Sequence, residues 1–426
     1  MTTVRFRGLR ARSGPLTDGQ GYIWNALRRQ PPEDQRSLAV SVHVPEGTAL
    51  ARVTSALVAL VTCHESLRTR LVAGPAGETR QEVAGSGSLA IDLATMDDTD
   101  APTDEDPART WGGGGFDHTT DFPLRTTVVL AGDEPRWIVL TVSHLATDGA
   151  GLQVLHRHLT ALLRGDDPPA GLSLSCRQPL DQAAYERTPR ARARAERALT
   201  YWRRQLERFP AFRLPARRPS EPRFWRGTLT SPALATAIPA LARRVGRTER
   251  SVVLSAVAVA YGRYLDQDSC AITVMCGNRH TPELRDSVMN LPQRVPVVVD
   301  LRGPFAQIAG SAQSAVLRAY QHAQYPPGRV RELIGSVAET TGRDLDTDTG
   351  FNSVGPTRSG RTPDDTPPHR SFAWVHKSHS DIARLRFFDY FAPNGLSLYT
   401  DTGFVPPDDI RAFLTDVEEI ILSRAS

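Results

Sequence analysis

Lysine is almost absent from this chain of 426 residues. Lys377 is the single lysine among 51 lysine and arginine residues, so nearly all of the positive side chains are guanidinium groups. Phosphate-binding loops of the Walker type and Schiff-base mechanisms both depend on a lysine, and no lysine stands in either setting. The net charge is only +4 and no nucleic-acid reader motif is present, so we expect no nucleic-acid partner.

Long apolar segments are missing as well. The longest, Val252–Ala260, is far shorter than the roughly 20 residues that cross a bilayer. The first residues contain several arginines but no apolar segment of the kind found in a secretory signal. We therefore expect a cytoplasmic protein that does not associate with membranes.

The four cysteines form no metal-ligand pattern. Cys270 and Cys276 lie in one predicted strand, and six residues of strand separate their Cα atoms by about 20 Å. A disulfide requires a Cα separation of about 7 Å or less. We predict four reduced thiols and no bound metal.

The composition supports a large folded core, because 40% of the residues are hydrophobic and 23% are charged. The length predicts two or three domains, or one unit with two lobes. Strand and helix patterns alternate in both halves, which predicts the α/β fold class. The stretch GDDPPAGLS, residues 165–173, is the best linker in the chain. We place the boundary there and predict domains at residues 1–168 and 169–426.

The stretch RWIVLTVSHLATDGAGLQVL carries the clearest chemical signal. A buried strand ends at Ser143, His144 follows at once, and Asp148 and Gly149 precede an amphipathic helix. A histidine at the end of a rigid strand can project into a cleft as a general base or as a group that orients substrate. On spacing alone, a histidine satisfied within the core, with Asp148 as a simple helix N-cap, is an equally good interpretation.

SHLATDG resembles the HHxxxDG active-site motif of nonribosomal peptide synthetase condensation domains, in the CoA-dependent acyltransferase superfamily. CHESLRTRL resembles the family's RHExLRTxF motif, with Cys63 in place of the arginine. Six segments, CHESLRTRL among them, resemble family motifs in the same order over nearly the whole chain: PLTDGQGYIW (15–24), CHESLRTRL (63–71), FDHTTDFPLR (116–125), YWRRQLERFPAFRLP (201–215), CGNRHTPELRDSVMNLPQRVPV (276–297) and HAQYPP (322–327). A coincidental series of this length is not credible.

The resemblance implies two chloramphenicol-acetyltransferase-like lobes arranged as a V, with a tunnel between them. Two carrier-bound substrates enter such a tunnel from opposite faces. His144 would lie in the tunnel as base or orienter, and Gly149, Asn290 and Asn352 would line it. A side chain at Gly149 would narrow the path of the substrate arm.

The resemblance also implies supporting roles. The motif aspartate of the family turns away from the tunnel and pairs with an arginine, so Arg279 is the expected partner of Asp148. Arg68 is expected to brace the active-site loop rather than to contact substrate. Ser143 stands where most of the family has its first histidine. That histidine is mainly structural, so we expect the serine to be tolerated, although it puts an ordinary elongation role in question.

The resemblance implies a free-standing condensation enzyme of natural-product biosynthesis, for example of antibiotics. It would move an acyl or aminoacyl group from a carrier-protein thioester to an amine and so form an amide. No cofactor is expected to be bound, and phosphopantetheine would carry the substrate. Two alternatives stay open. One is an ester-forming or acyl-CoA-dependent acyltransferase with an alcohol acceptor, and the other is a catalytically silent domain that docks to a carrier protein.

Overall fold

The computed structural model describes residues 1–30, 35, 37–96, 107–165, 176–212, 214–354, 369–379, 385–391 and 394–425, with the backbone alone at 109, 354 and 385–391. The helices are α1 (Asp18–Leu27), α2 (Leu50–Cys63), α3 (Pro107–Trp111), α4 (Gly149–Arg164), α5 (Pro179–Glu186), α6 (Pro189–Leu206), α7 (Pro232–Val245), α8 (Glu249–Leu265), α9 (Pro282–Arg285), α10 (Phe305–Tyr320), α11 (Pro327–Thr341) and α12 (Pro407–Ala425). Among these helices, none is both long and apolar enough to cross a membrane.

The strands are β1 (Thr2–Arg7), β2 (Arg12–Pro15), β3 (Ser37–His43), β4 (Thr69–Ala73), β5 (Thr79–Val83), β6 (Ser86–Met96), β7 (Leu124–Ala131), β8 (Glu134–Ser143), β9 (Phe224–Thr230), β10 (Ser269–Cys276), β11 (Gln293–Asp300), β12 (Gly350–Val354), β13 (Ser371–Ser378), β14 (Leu385–Phe391) and β15 (Gly395–Asp401). The expected α/β class is confirmed by this mixture of helices and strands.

The described residues form two compact units. The first contains residues 1–192, apart from those outside the description, together with Asn278–Pro292. Its five-stranded sheet has the order β1-β6-β7-β8-β3, and β2, β5 and β4 form a small second sheet. Helices α2 and α4 bury their apolar stripes against the larger sheet, which explains the 3.6-residue periodicity of both segments.

The second unit contains Ala193–Gly277, residues 293–354 and the described residues from 369 onward. Its seven-stranded sheet has the order β11-β10-β12-β14-β15-β9-β13. Helix α8 is buried on nearly all sides between this sheet and its neighbours, so the segment is apolar throughout rather than along one stripe.

The boundary expected between residues 168 and 169 lies outside the described residues, as does most of the linker at 165–173. The residues after it do not all join the second unit, however. Residues 176–192 and Asn278–Pro292 cluster with the first unit, although the sequence analysis assigned both to the second. Long-range contacts cause this: Arg12 Nη1 lies 2.6 Å from Asp181 Oδ1, and Arg279 Nη2 lies 2.8 Å from Asp148 Oδ1.

Candidate active site

The SHLATDG segment lies at the end of a central strand of the first unit. Strand β8 pairs with β7 on one side and β3 on the other, and its last six residues are buried. The Ser143 carbonyl then accepts hydrogen bonds from the Ala146 and Thr147 N–H groups, which makes a tight turn before α4. His144 is the first residue of this turn and is half-buried, so a rigid strand sets its position.

The His144 ring is held through its Nδ1 atom. Nδ1 lies 3.0 Å from the Thr147 carbonyl oxygen and 3.0 Å from Asn290 Nδ2. Asn290 Nδ2 also donates to the His144 carbonyl at 3.0 Å, which gives this amide group an acceptor of its own. We assign the proton to Nδ1, because the Thr147 carbonyl only accepts and the Asn290 amide has the His144 carbonyl as its acceptor; the contact of Asn290 Nδ2 with Nδ1 is then not a hydrogen bond. That tautomer leaves the lone pair on Nε2, the ring nitrogen that a base needs.

Asp148 is 2% exposed and accepts three hydrogen bonds. Oδ1 accepts from the Gly151 N–H at 2.7 Å, as an N-cap of α4 does, and from Arg279 Nη2 at 2.8 Å. Oδ2 accepts from the Leu291 N–H at 3.2 Å. Asp148 thus joins helix α4 to the segment that carries Asn290.

Arg279 is held on its other sides by backbone carbonyls. Nη1 donates to the carbonyls of Leu284 and Ser287 at 2.8 Å each, and Nη2 donates to that of Met289 at 3.2 Å. Five donors in a fixed fork suit this arrangement, and a lysine would not satisfy it. The guanidinium therefore orders residues 284–289, which lead directly to Asn290.

The two glycines at the start of α4 differ in what surrounds them. A Cβ atom at Gly151 would lie 2.3 Å from Thr147 Oγ1 and 3.3 Å from Arg279 Nη2, so packing explains that glycine. Gly149 is exposed, has no positive φ, and would have nothing within 4 Å of its Cβ atom. Neither packing nor backbone conformation demands a glycine at 149. The open space in front of it is compatible with the predicted substrate path.

Ser143 has a buried partner that the sequence analysis did not identify. His118 Nε2 lies 2.7 Å from Ser143 Oγ, which also accepts from the Leu145 N–H at 3.1 Å. Burial lowers the pKa of His118, so this imidazole is neutral at pH 7. The contact between the His118 imidazole and the Ser143 hydroxyl therefore holds in place the residue immediately before His144.

The other predicted site residues lie elsewhere. Arg68 Nη1 donates to the carbonyls of Arg10 and Ala84 at 2.8 and 2.5 Å, so these contacts join it to the N-terminal segment and to the end of β5. Its role as a brace of the active-site loop stays a prediction. Asn352 belongs to β12 of the second unit, and its place in a substrate path stays a prediction too.

Gly19 of helix α1 is a residue of the site that sequence reasoning missed. A Cβ atom there would lie 2.1 Å from the Asn290 carbonyl oxygen, so only glycine permits this approach of helix and backbone. In the sequence, the only indication of its role was that Gly19 lies in PLTDGQGYIW, the first segment that resembles a family motif.

Among the described residues, no group of three or more His, Cys, Asp or Glu side chains can hold a metal ion.

A histidine pair, also missed, joins the end of α2 to α4: His64 is buried, and His158 of α4 is half-buried. His64 Nε2 is 3.0 Å from His158 Nδ1, and the two rings stack with centroids 5.2 Å apart. Burial, followed by the nearby His158, lowers the pKa of His64 to about 3. His64 therefore stays neutral in the folded protein at any pH at which the protein is expected to work.

We expect this histidine to reduce stability in acid. The unfolded chain takes up a proton at His64 below pH 6.5, whereas the native protein does so only near pH 3, so stability is lost as the pH falls between these values. From pH 7 to pH 4 the loss from this group should be about 3 kcal/mol. Urea unfolding of wild type and His64→Asn at both pH values measures it.

The comparison with the variant is needed because other groups titrate in the opposite direction. Burial raises the pKa of Asp18 to about 6 and that of Glu186 to about 8, so these carboxyl groups favour the folded state in acid. Both contributions are present in wild type and variant and cancel in the difference. Equal acid sensitivity of the two proteins would contradict the prediction.

Several solved structures resemble this chain over nearly its whole length. SgcC5 from Streptomyces globisporus superimposes with a TM-score of 0.71 over 97% of this chain and 98% of its own, at 18% identity. A structure on condensation-domain-mediated chain release from the enacyloxin polyketide synthase gives 0.76 over 98% and 83%, at 18% identity. The X-domain from teicoplanin biosynthesis gives 0.72 over 99% and 96%, at 20% identity. The fold is that of the condensation domains, with two chloramphenicol-acetyltransferase-like lobes.

The Condensation domain family model matches residues 11–345, so the chain belongs to this family. Phosphinothricin tripeptide synthetase PhsC from Streptomyces viridochromogenes is 29% identical over 291 residues, which are 64% of this chain and 26% of that protein. Nonribosomal peptide synthetase TES from Alternaria alternata is 28% identical over 293 residues, which are 63% of this chain and 5% of that protein. The chain thus matches only a small part of these large relatives.

Proposed function

We propose that this protein moves an acyl or aminoacyl group from a thioester to an amine and so forms an amide, with His144 as the group that handles the proton. The observation that carries the proposal is the contact of His144 Nδ1 with the Thr147 carbonyl at 3.0 Å. It favours the tautomer with a free lone pair on Nε2, on a residue fixed between a central strand and the Asp148–Arg279 pair.

The chemistry follows from that tautomer. The amine nitrogen attacks the thioester carbonyl carbon, and the carbonyl electrons move to oxygen to give a zwitterionic tetrahedral intermediate. Nε2 takes a proton from the nitrogen, the carbonyl re-forms, and the carbon–sulfur bond breaks. The leaving thiolate then receives a proton from Nε2, which returns the imidazole to its first state. Asn290 positions His144, since it bonds to the carbonyl of that residue.

The donor is a thioester of phosphopantetheine on a peptidyl or acyl carrier protein. The family membership supports this, as do relatives named as peptide synthetases, although the chain covers only 26% and 5% of the two relatives above. The phosphopantetheine is a substrate in this scheme, and no resident cofactor is required. The site of action is the cytoplasm, where such thioesters are made.

A second candidate is ester formation with an alcohol acceptor. SgcC5 was solved in complex with (R)-(-)-1-(2-naphthyl)-1,2-ethanediol, which is a hydroxyl compound. The same Nε2 lone pair serves this reaction, because a hydroxyl needs a base more than an amine does.

A carrier-docking domain without activity is the less favoured interpretation. Its known relatives tend to lose the motif histidine or glycine, whereas His144, Asp148 and Gly149 are all present.

The test is direct detection of transfer. Acyl groups are loaded on phosphopantetheinylated carrier proteins and on CoA, and each is offered an amine or an alcohol with and without the protein. Intact-mass spectrometry follows loss of the acyl group from the carrier, and chromatography with mass detection follows the amide or ester. The carrier-thioester proposal would be overturned if acyl-CoA gave a product while no carrier-loaded acyl group gave one with any acceptor.

A bulky residue at position 149 should block the substrate. Gly149 is exposed with open space before it, so Gly149→Trp fills that space without disturbing the packing of α4. We expect transfer from a carrier-bound donor to fall at least about tenfold, while the melting temperature stays near that of wild type because exposed substitutions change stability little. Mass spectrometry measures transfer, and calorimetry measures binding of the carrier protein, which should persist.

Gly149→Ala is the matched control for this variant. A methyl group there meets nothing within 4 Å, so transfer should remain within about twofold of wild type. Gly151→Ala should behave differently and lower stability, because its Cβ atom would lie 2.3 Å from Thr147 Oγ1. Transfer by Gly149→Trp at the wild-type rate would show that no substrate passes this point, and the docking interpretation would gain support.

A further inference from the structure

The second unit contains a large cavity of its own, between its sheet and its helices. The volume is about 960 Å³, and the walls come from the end of α7, the start of α8, α10 and strands β10 and β12. All of the lining residues belong to the second unit. Phe351 and Ser353 of β12 face the cavity, whereas Asn352 between them belongs to the opposite face of the strand.

The walls of the cavity are mainly aliphatic and aromatic. Leu254 of α8, Val274 of β10, Val316 of α10 and Phe351 of β12 line it. Leu317 also lines it, although 58% of this side chain is exposed. Ligand pockets occupy roughly 300–1,000 Å³, and a mainly apolar space of this size suits a ligand with an extended hydrocarbon part.

The charges around the cavity are mostly positive. Arg243, Arg247 and Arg250 line it and are exposed, and Glu249 is the one acidic residue among its lining residues. Helix α8 begins here with Thr248 as its N-cap, so the positive end of a 17-residue helix dipole lies at the same place. The charge pattern is complementary to an anionic group and unfavourable for a cation.

Polar groups within the cavity add a point of orientation. Gln313 Oε1 accepts from the Thr248 N–H at 3.0 Å, which ties α10 to the start of α8. Burial raises the pKa of the Tyr320 phenol, so this lining side chain remains a neutral hydrogen-bond donor. A carbonyl oxygen on the ligand is a suitable acceptor for it.

We propose that this cavity binds an aliphatic chain that ends in an anionic group. The group can be a carboxylate, as in a fatty acid, or a phosphate, as in an alkyl phosphate, and the two share the chemistry that the arginines recognise. The proposal goes beyond the transfer reaction, because binding here requires neither turnover nor any residue of the first unit. Its failure and that of the transfer proposal are therefore distinguishable.

The experiment measures binding to the full-length chain by calorimetry below the micelle concentration of each probe. The probes are decanoate, decyl phosphate, decyltrimethylammonium and butanoate. We expect saturable binding of at least one ten-carbon anion, and at least tenfold weaker binding of the cation and of butanoate. The ratio of the two anion affinities separates the carboxylate source from the phosphate source. Equal affinity for anion and cation, or no saturable binding of either anion, overturns the proposal.

Variants locate the binding to this cavity. The double variant Arg243→Glu/Arg250→Glu changes only exposed side chains and should weaken anion binding at least tenfold. The control is Arg244→Glu, an exposed neighbour that does not line the cavity, with an expected change below twofold. Val316→Trp fills the space and should abolish binding. His144→Ala should bind the anion as wild type does. Unchanged affinity in the double variant would contradict the proposal, whether or not Val316→Trp folds.

Discussion

His144→Ala should slow acyl transfer by roughly 10²- to 10⁴-fold while leaving the fold intact, because a positioned acid–base group contributes about that much to catalysis. The ring is half-buried, and its Nδ1 atom donates to the Thr147 carbonyl of its own turn and lies 3.0 Å from Asn290 Nδ2. Its removal therefore takes little from the core. Single-turnover transfer from a loaded carrier, followed by mass spectrometry, measures the loss.

The acceptor distinguishes a base from an orienting group. A neutral amine attacks a thioester without help, whereas a hydroxyl needs its proton removed as it attacks, so the loss should be larger with an alcohol acceptor than with an amine. An orienting role predicts similar losses with both. Asn290→Ala should give a smaller loss than His144→Ala, since Asn290 acts through the position of the histidine.

His43 supplies a matched control. It is an exposed histidine on β3 of the same unit, with its ring 5.0 Å from that of Trp137 and no place in the SHLATDG turn. His43→Ala should retain transfer within about twofold of wild type. Wild-type turnover by well-folded His144→Ala would refute the role of this histidine in proton transfer.

Local patterns predicted the elements that hold the site. The apolar run that ends at Ser143 became β8, and the stripe of leucines after Gly149 became α4. Both signals are short in range, since each depends on periodicity within a single element. Strands β5 and β6 were not identified, because β6 is largely exposed and its alternation is irregular.

The contacts that complete the site depend on residues far apart in sequence. His118 meets Ser143 across 25 positions, Gly19 meets Asn290 across more than 200, and no periodicity encodes either pairing. The placement of Asn278–Pro292 in the first unit was missed for the same reason. A single domain boundary along the sequence cannot assign this segment to the first unit while its neighbours on both sides belong to the second. The contact of Asp148 with Arg279 was anticipated only through the family resemblance.

Removing one partner of the Asp148–Arg279 pair should lower the free energy of unfolding by about 3 to 5 kcal/mol, because the survivor is left as a buried charge without its counterion. The side chains are 3% and 12% exposed and lie 2.8 Å apart. Asp148→Asn is the suitable change, since an amide oxygen can still accept from the Gly151 N–H and keep the N-cap. Arg279→Leu is its counterpart.

The double variant tests whether the two losses have one cause. If the pair acts as a unit, Asp148→Asn/Arg279→Leu should be more stable than the sum of the single losses predicts, by at least about 1 kcal/mol. Urea unfolding monitored by a probe in the first unit gives the three values. Losses that add within about 0.5 kcal/mol would show that the charges do not interact.

An exposed pair in the same unit provides the comparison. Arg157 Nη2 lies 2.7 Å from Asp286 Oδ1, but these side chains are 56% and 46% exposed. Water and salt screen such a pair, so the coupling from Arg157→Ala and Asp286→Ala should stay below about 1 kcal/mol. The two pairs have nearly the same N–O distance. A coupling energy several-fold smaller in the exposed pair would therefore establish that burial, rather than proximity, makes the Asp148–Arg279 pair essential to the turn that holds His144. A coupling as large in the exposed pair would remove that argument.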